Sequence, residues 1–415
     1  MEKGTQIART AYARSWVPAT VVVLVTVGMG WAASGSGVAW EPRPGDLPLD
    51  SMAAALVSAG SPAAGILVLE GREMRLGVAG ERVLGSGVPV QADDPWHLGS
   101  NGKAMTGVLA ARLVDRGVLE WEASLGDWIP AEWGGVPDWA GEVTLAELLS
   151  HTGGMPANLL PAQMGALMGP DDERDAREDR KAAARQVLAG EAGGQRGGFL
   201  YSNVEYILAG LILEEATGRA WEELMRQEVF EPLGLTSAGM GAPAPGGSRE
   251  APDVPWGHLG GMEDALIPVP PGGLADNPPA LGPAGRIHMS LRDYGVFLRT
   301  VLHGLGGGEE VPFLSADSWT RLVDPPPTSE DYALGWGLVV DPDGLRRPCP
   351  ILQHAGSNGR WWAQVRLDPV RRLGVVVVLN EGRVDRVRER SVEILESVVP
   401  VAGAECEALN GSGGW

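Results

Sequence analysis

Runs that read as β-strands lie towards both ends of this chain, and a long stretch rich in helical patterns and loops separates them. "PAAGILVLEGREMRLGVAGERV" (62–83) holds two strand-like runs around a "GRE" turn, the pattern of a hairpin. "YALGWGLVV", "ILQHAGSNGRWWAQVRLDP" and "RRLGVVVVLNEG" return to strand character after residue 330. A sheet made from these runs must pair segments from opposite ends of the chain and carry the middle as an insertion. The expected fold class is therefore α/β. A mixed, mainly antiparallel sheet is flanked by helices and interrupted by a mostly helical second domain. On this reading residues 51–118 and 285–400 form the α/β domain, and residues 119–284 form the helical one.

Helical periods fill in the rest. Met105, Val108, Leu109 and Leu113 share one face of a 3.6-residue repeat, which predicts a helix over 101–117. "TLAELL" opens on an N-cap at Thr144, and "YILAGLILEEATG" reads as a buried helix ending at Gly218. "SLRDYGVFLRTVLHGL" and "VDRVRERSVEILESVV" are two more amphipathic helices. The charge run Asp171 to Lys181 reads as the exposed face of a helix. Residues 241–285 are rich in proline and glycine and are expected to form a long loop that walls a cleft.

The formal net charge of −20 excludes a nucleic-acid partner, because nothing here could neutralise a phosphate backbone. Lys3, Arg9 and Arg14 precede an apolar run from Trp16 to Ala33, followed by small residues up to Ala39. This pattern predicts an export signal or a membrane anchor over residues 1–39, then a proline-rich linker over 40–50. The bulk of the protein is then extracytoplasmic: periplasmic, secreted or anchored. Membrane contact runs only through the N-terminal segment. Cys349 and Cys406 show no metal-ligand spacing and allow at most one bridge. Residues 401–415 read as a tail, where "NGS" at Asn410 is a sequon in letters only.

The chain has three lysines against thirty arginines, yet one of the three, Lys103, heads an apolar helix three residues after Ser100. Positions i and i+3 share a helix face, so the amine can meet the hydroxyl. Serine needs a neighbour to remove its proton before it can attack. A buried lysine can do that once desolvation has disfavoured its charged form by about 4 kcal/mol. Arginine cannot, because a guanidinium stays protonated. Two further stretches join this one in order: "FLYSNVEYILAG", with Tyr201 and Asn203 entering a helix, and "LQHAGSNGRWW", with His354, Ala355 and Gly356 where a strand would begin.

Together with "LLSHTGGMP", these motifs resemble those of the serine β-lactamase and penicillin-binding-protein superfamily. The branch they are most similar to contains class C β-lactamases, D-alanyl-D-alanine carboxypeptidases and family VIII esterases. The resemblance implies that Ser100 is the acylated nucleophile, Lys103 its proton acceptor and Tyr201 a general base or proton shuttle. Asn203 would bind a substrate amide or hold Lys103. His354 would be the cation that orients Tyr201 and meets a substrate carboxylate. The N–H groups of Ser100 and Ser357 would form the oxyanion hole, beside Ala355 and Gly356. The family usually carries lysine at the position of His354. A histidine there is charged only below about 6.5, so activity on carboxylate-bearing substrates is expected to fall above that pH. The implied activity is cleavage of an amide, ester or β-lactam in a small-molecule or peptidoglycan-like substrate, with no cofactor and no metal. A non-hydrolysing binding or sensory module is the alternative. Taken singly, each of these residues has a plainer role as helix cap, turn former or packed aromatic. His97 and His151 read as structural, and so do His258, His288 and His303. Trp361 and Trp362 are expected to face opposite sides of a central strand.

Overall fold

The computed structural model describes residues 46–169, 174–272, 274–306, 313–329, 331–339 and 351–401. The N-terminal export or anchor segment, Cys349, Cys406, Asn410 and the start of the 171–181 charge run lie outside them. Among the described residues, no helix is long and apolar enough to cross a membrane.

Helix α1 (Leu49–Ser58) opens the fold, so the last two residues of the expected linker are already helical. Strands β1 (Ala63–Glu70) and β2 (Glu73–Gly80) follow, then β3 (Pro95–His97) and helix α2 (Gly102–Asp115). Helices α3 (Ala176–Leu188) and α4 (Asn203–Thr217) dominate the middle of the chain. Next come β4 (Gly239–Met240), β5 (Gly257–Gly260), β6 (Leu266–Val269), β7 (Ile287–Ser290), α5 (Leu291–Leu305) and α6 (Ala316–Val323). The chain then forms β8 (Gly337–Val339), β9 (Ile351–Ser357), β10 (Trp362–Asp368), β11 (Leu373–Leu379) and the last helix, α7 (Val384–Val398).

Six strands make the main sheet in the order β2-β1-β11-β10-β9-β8, with antiparallel pairing throughout. The N-terminal hairpin turns through Gly71 and Arg72, where Gly71 takes a φ of +59° that glycine adopts without strain. Its inner strand then pairs with β11, Ala64 opposite Leu379, joining the two ends of the chain. Both faces of the sheet are covered. Ile66, Val68, Val375, Val377 and Trp362 pack with Leu56 of α1 and Leu395 of α7. Leu67, Leu69, Val376, Val378, Val365 and Trp361 face the larger core, with Met105 and Leu109 of α2 and Phe297 of α5. That double burial explains why β11 reads as an unbroken valine run, and it sends Trp361 and Trp362 to opposite sides.

The middle segment packs α3 against α4, and α4 touches α2. Thr144 caps a short helix (Leu145–Leu149) through a full capping box with Glu147, and Gly218 ends α4 at a φ of +72°. The long proline-rich stretch is not all loop: β5 and β6 pair as a hairpin, Gly257 opposite Val269. Four-residue strands are too short to leave a period in the sequence. Likewise "YALGWGLVV" yields a strand only over its last residues, and Tyr332 to Trp336 run irregularly towards the site.

One ion network fastens the helical part. Arg180 of α3 is fully buried and bonds Glu214 of α4, Glu222 and the Pro279 carbonyl, while Glu214 also accepts from the Trp221 N–H. Removing the guanidinium strands a fully buried carboxylate. Arg180→Ala is expected to lower unfolding stability by about 3–5 kcal/mol, read from urea denaturation. A loss below about 1 kcal/mol would mean the carboxylates find other partners or protons.

Candidate active site

The nucleophile position is built from backbone first. After β3 the chain turns through Gly99, whose φ of +53° and missing side chain both matter. A Cβ there would stand 2.5 Å from the Ser357 nitrogen. Conversely, a Cβ on Gly356 would stand 2.5 Å from the Ser100 nitrogen. The two glycines thus let the end of β9 lie directly against the Ser100 turn, which brings the amides of Ser100 and Ser357 side by side. Gly285 closes the third side, its α-carbon packed on the Gly99–Ser100 peptide.

Lys103 sits in the first turn of α2 with no exposed surface. Its Nζ lies 2.7 Å from Asn203 Oδ1, 2.6 Å from the Ala284 carbonyl and 3.2 Å from Ser100 Oγ. The first two partners only accept, so they fix two N–H bonds. The third tetrahedral position therefore points at Ser100, as a proton in the ammonium and as a lone pair in the amine. Burial pushes the Lys103 pKa well below its ordinary value, favouring the amine.

Tyr201 precedes α4, whose N-cap Ser202 accepts from the Glu205 N–H. Burial pushes the Tyr201 phenol well up, and its hydrogen bond with Ser100 partly offsets this. The resting phenol is thus protonated, with its ring centroid 5.0 Å from Lys103 Nζ. Asn203 spends its oxygen on Lys103 and donates its amide to Asn158 Oδ1 at 2.8 Å. Holding the lysine is accordingly its visible role, the second of the two that the sequence suggested.

His354 departs from expectation twice. It lies in the middle of β9, not at the start of a strand, with Ala355, Gly356 and Ser357 completing the strand. It also does not bond Tyr201. Its Nε2 is 3.0 Å from the Tyr332 hydroxyl and its Nδ1 is 2.9 Å from the Ala355 carbonyl. A carbonyl only accepts, so Nδ1 carries the proton and Nε2 takes one from Tyr332. Burial, with Lys103 nearby, pushes the imidazole down to about 3. His354 is a neutral group at ordinary pH and supplies no cation for a carboxylate.

Sequence reasoning missed two contributors. Tyr332 lay in a strand-like run that gave no sign of reaching His354. The other, Ala284, acts only through its backbone, which no residue-type pattern reveals. His151, read as structural, packs its ring 4.3 Å from that of Tyr201, and its Nδ1 accepts from the Ser202 N–H.

Residues 49–397 match the family model for β-lactamase. The chain belongs to the β-lactamase family. It is 27% identical to penicillin-binding protein 4 of Amycolatopsis lactamdurans over 72% of this chain and 75% of that one. It is 24% identical to the D-alanyl-D-alanine-carboxypeptidase/endopeptidase AmpH of Escherichia coli over 83% of this chain and 86% of that one. Its fold is similar to that of a class C β-lactamase from Rhodobacter sphaeroides, with a TM-score of 0.62, 22% identity, and coverage of 83% of this chain and 99% of that one. The protein is thus a β-lactamase-family hydrolase, similar to D-alanyl carboxypeptidases and β-lactamases.

The geometry makes a pH prediction. A base must be deprotonated to act, so kcat/KM should fall as pH drops through the depressed Lys103 pKa. A neutral His354 should add no inflection near 6.5, for carboxylate-bearing and neutral substrates alike. A loss of activity above 6.5 confined to carboxylate substrates would restore the cationic role to His354. The check is kcat/KM against pH on one substrate of each kind, between the acid and alkaline limits of folding.

Proposed function

We propose that this protein is an exported serine hydrolase that cleaves an amide, ester or lactam carbonyl through an acyl-enzyme on Ser100. The observation that carries this reading is the placement of Ser100 Oγ, 3.2 Å from a buried, desolvated lysine amine and bonded to Tyr201. Lys103 takes the Ser100 proton as Oγ bonds the carbonyl carbon. The oxyanion settles against the Ser100 and Ser357 amides, each such donor being worth about 3 kcal/mol. Tyr201 then gives its proton to the leaving nitrogen or oxygen as that bond breaks, and the Lys103 ammonium reprotonates the phenolate. Water repeats the sequence in reverse: it loses a proton to the same pair, attacks the acyl carbon, and Ser100 leaves with its proton restored.

Export rests on the apolar run at 16–33 behind three basic residues. Substrate class follows from His354. With a neutral imidazole sealed against Tyr332, no charge at that position favours a carboxylate over a neutral leaving group. D-aminoacyl amides and short acyl esters are therefore preferred substrates, and carboxylate-bearing ones, penicillins and peptides with a free C-terminus alike, are slow ones.

Mass spectrometry after incubation with a fluorophosphonate should find one adduct, on Ser100. Ser100→Ala should abolish both adduct and turnover, and Tyr201→Phe should lower kcat by about 10²–10⁴. Among D-alanine amide, a D-alanyl-D-alanine peptide, p-nitrophenyl acetate and nitrocefin, the two carboxylates, the peptide and nitrocefin, should give the lower kcat/KM values. An unlabelled Ser100, or turnover that survives Ser100→Ala, would refute the reading.

A further inference from the structure

Behind the nucleophile, buried side chains from three separate stretches meet on one carboxylate. Asp276, in the connection from β6 to β7, places Oδ2 2.8 Å from His97 Nε2 and 3.4 Å from Arg286 Nε. Its Oδ1 accepts from Asn358 Nδ2 at 2.9 Å and from the Asn277 N–H at 2.8 Å. His97, Asp276, Arg286 and Asn358 are all less than one-tenth exposed. None of the four touches Ser100, Lys103 or Tyr201 by any hydrogen bond described above.

What they hold is the backbone on either side of the two oxyanion amides. His97 Nδ1 accepts from the Gly99 N–H at 3.1 Å, which fixes the peptide that leads into Ser100. Because Nδ1 accepts there, the ring proton is on Nε2, facing Asp276. On the other side, Asn358 follows Ser357 directly. Its Oδ1 accepts from the Arg360 and Trp361 N–H groups at 3.1 and 3.2 Å, and its Nδ2 also reaches the Ala275 carbonyl. Its oxygen thus shapes the turn from β9 to β10, and its nitrogen ties that turn to Ala275 and Asp276. One carboxylate ties the entry to the first amide to the exit from the second.

We propose that Asp276 and His97 are positioning residues for the oxyanion hole, setting the spacing of the Ser100 and Ser357 amides without touching substrate. The inference rests on the acyl-enzyme reading given above. The Asp276 carboxyl is ionised in this role: burial pushes it up, but His97, Arg286 and Asn358 outweigh burial and leave it at about 2. It therefore acts as a charged acceptor across the working pH range. Donors for a developing oxyanion must be held to a fraction of an ångström, and loss of that placement weakens binding of the tetrahedral state more than binding of substrate.

Three variants test this. Asp276→Asn puts an amide where two donors need an acceptor. His97→Asn keeps an acceptor near the Nδ1 position but cannot reach Asp276. His97→Gln keeps a donor near the Nε2 position but gives up the Gly99 contact. In each folded variant, kcat on p-nitrophenyl acetate should fall about 10- to 100-fold while KM moves less than about threefold. The inhibition constant of phenylboronic acid, which forms a tetrahedral adduct on serine, should rise in parallel. A purely structural role would lower the melting temperature and leave kcat and the boronate constant within about twofold of wild type at 25 °C. That result would overturn the proposal. Should Asp276→Asn fail to fold, the two His97 variants decide. Ser100→Ala is run beside them. If it is inactive while the His97 variants behave as wild type, the acyl-enzyme reading stands and this proposal falls. If it is as active as wild type, the acyl-enzyme reading itself has failed.

Discussion

Everything at this site depends on taking one amine out of water. An ammonium in solution holds its proton too tightly to serve as a base near neutrality. Inside the protein, with no exposed surface, Lys103 loses the hydration that stabilises its charge. The Asn203 oxygen and the Ala284 carbonyl supply two short acceptors, which satisfy the group without a neighbouring carboxylate to hold the charge in place. The remaining direction is the one towards Ser100. The scarcity of lysine elsewhere in the chain sets this position apart. Arginine would fill the space with a cation that cannot give up its proton.

The fold serves that amine by bringing remote stretches of chain to it. The apolar face of α2 packs into the larger core and anchors Lys103 and Ser100, one turn apart. Helix α4 brings Asn203 to the lysine at its first residue, just past Tyr201. The antiparallel pairing of β9 with β10 delivers Gly356 and Ser357 against the Gly99 turn. These contacts are non-local and close only when the sheet has joined the two ends of the chain. The same joining buries both sheet faces and spends the chain's longest apolar strands.

How much of this the sequence made legible follows from which signals are local. A helix such as 101–117 announces itself by period, and a cap such as Thr144 by residue type, and both stand where they were expected. The family motifs carry Ser100, Lys103, Tyr201 and Asn203 into one cluster because their spacing matches a known arrangement. His354 shows where that approach stops. It was expected to be a cation, but its charge is set by burial, by Lys103 and by the Tyr332 hydroxyl, none of which the letters around it disclose. The same holds for His97, whose neighbours in sequence suggest packing, while its partner Asp276 lies 179 residues away. Short strands such as β5 and backbone acceptors such as Ala284 leave no residue pattern to read.

The central claim is that the Lys103 amine titrates far below an ordinary lysine, and the chain is well suited to a direct measurement. With three lysines in all, [ε-13C]lysine labelling gives a spectrum of very few resonances, and Lys103→Arg assigns the one of interest. The account predicts one resonance that titrates well below 10.5 and is missing from the Lys103→Arg spectrum. If every lysine resonance moved together near 10.5, the amine would be an ordinary ammonium and the proposed base would not exist.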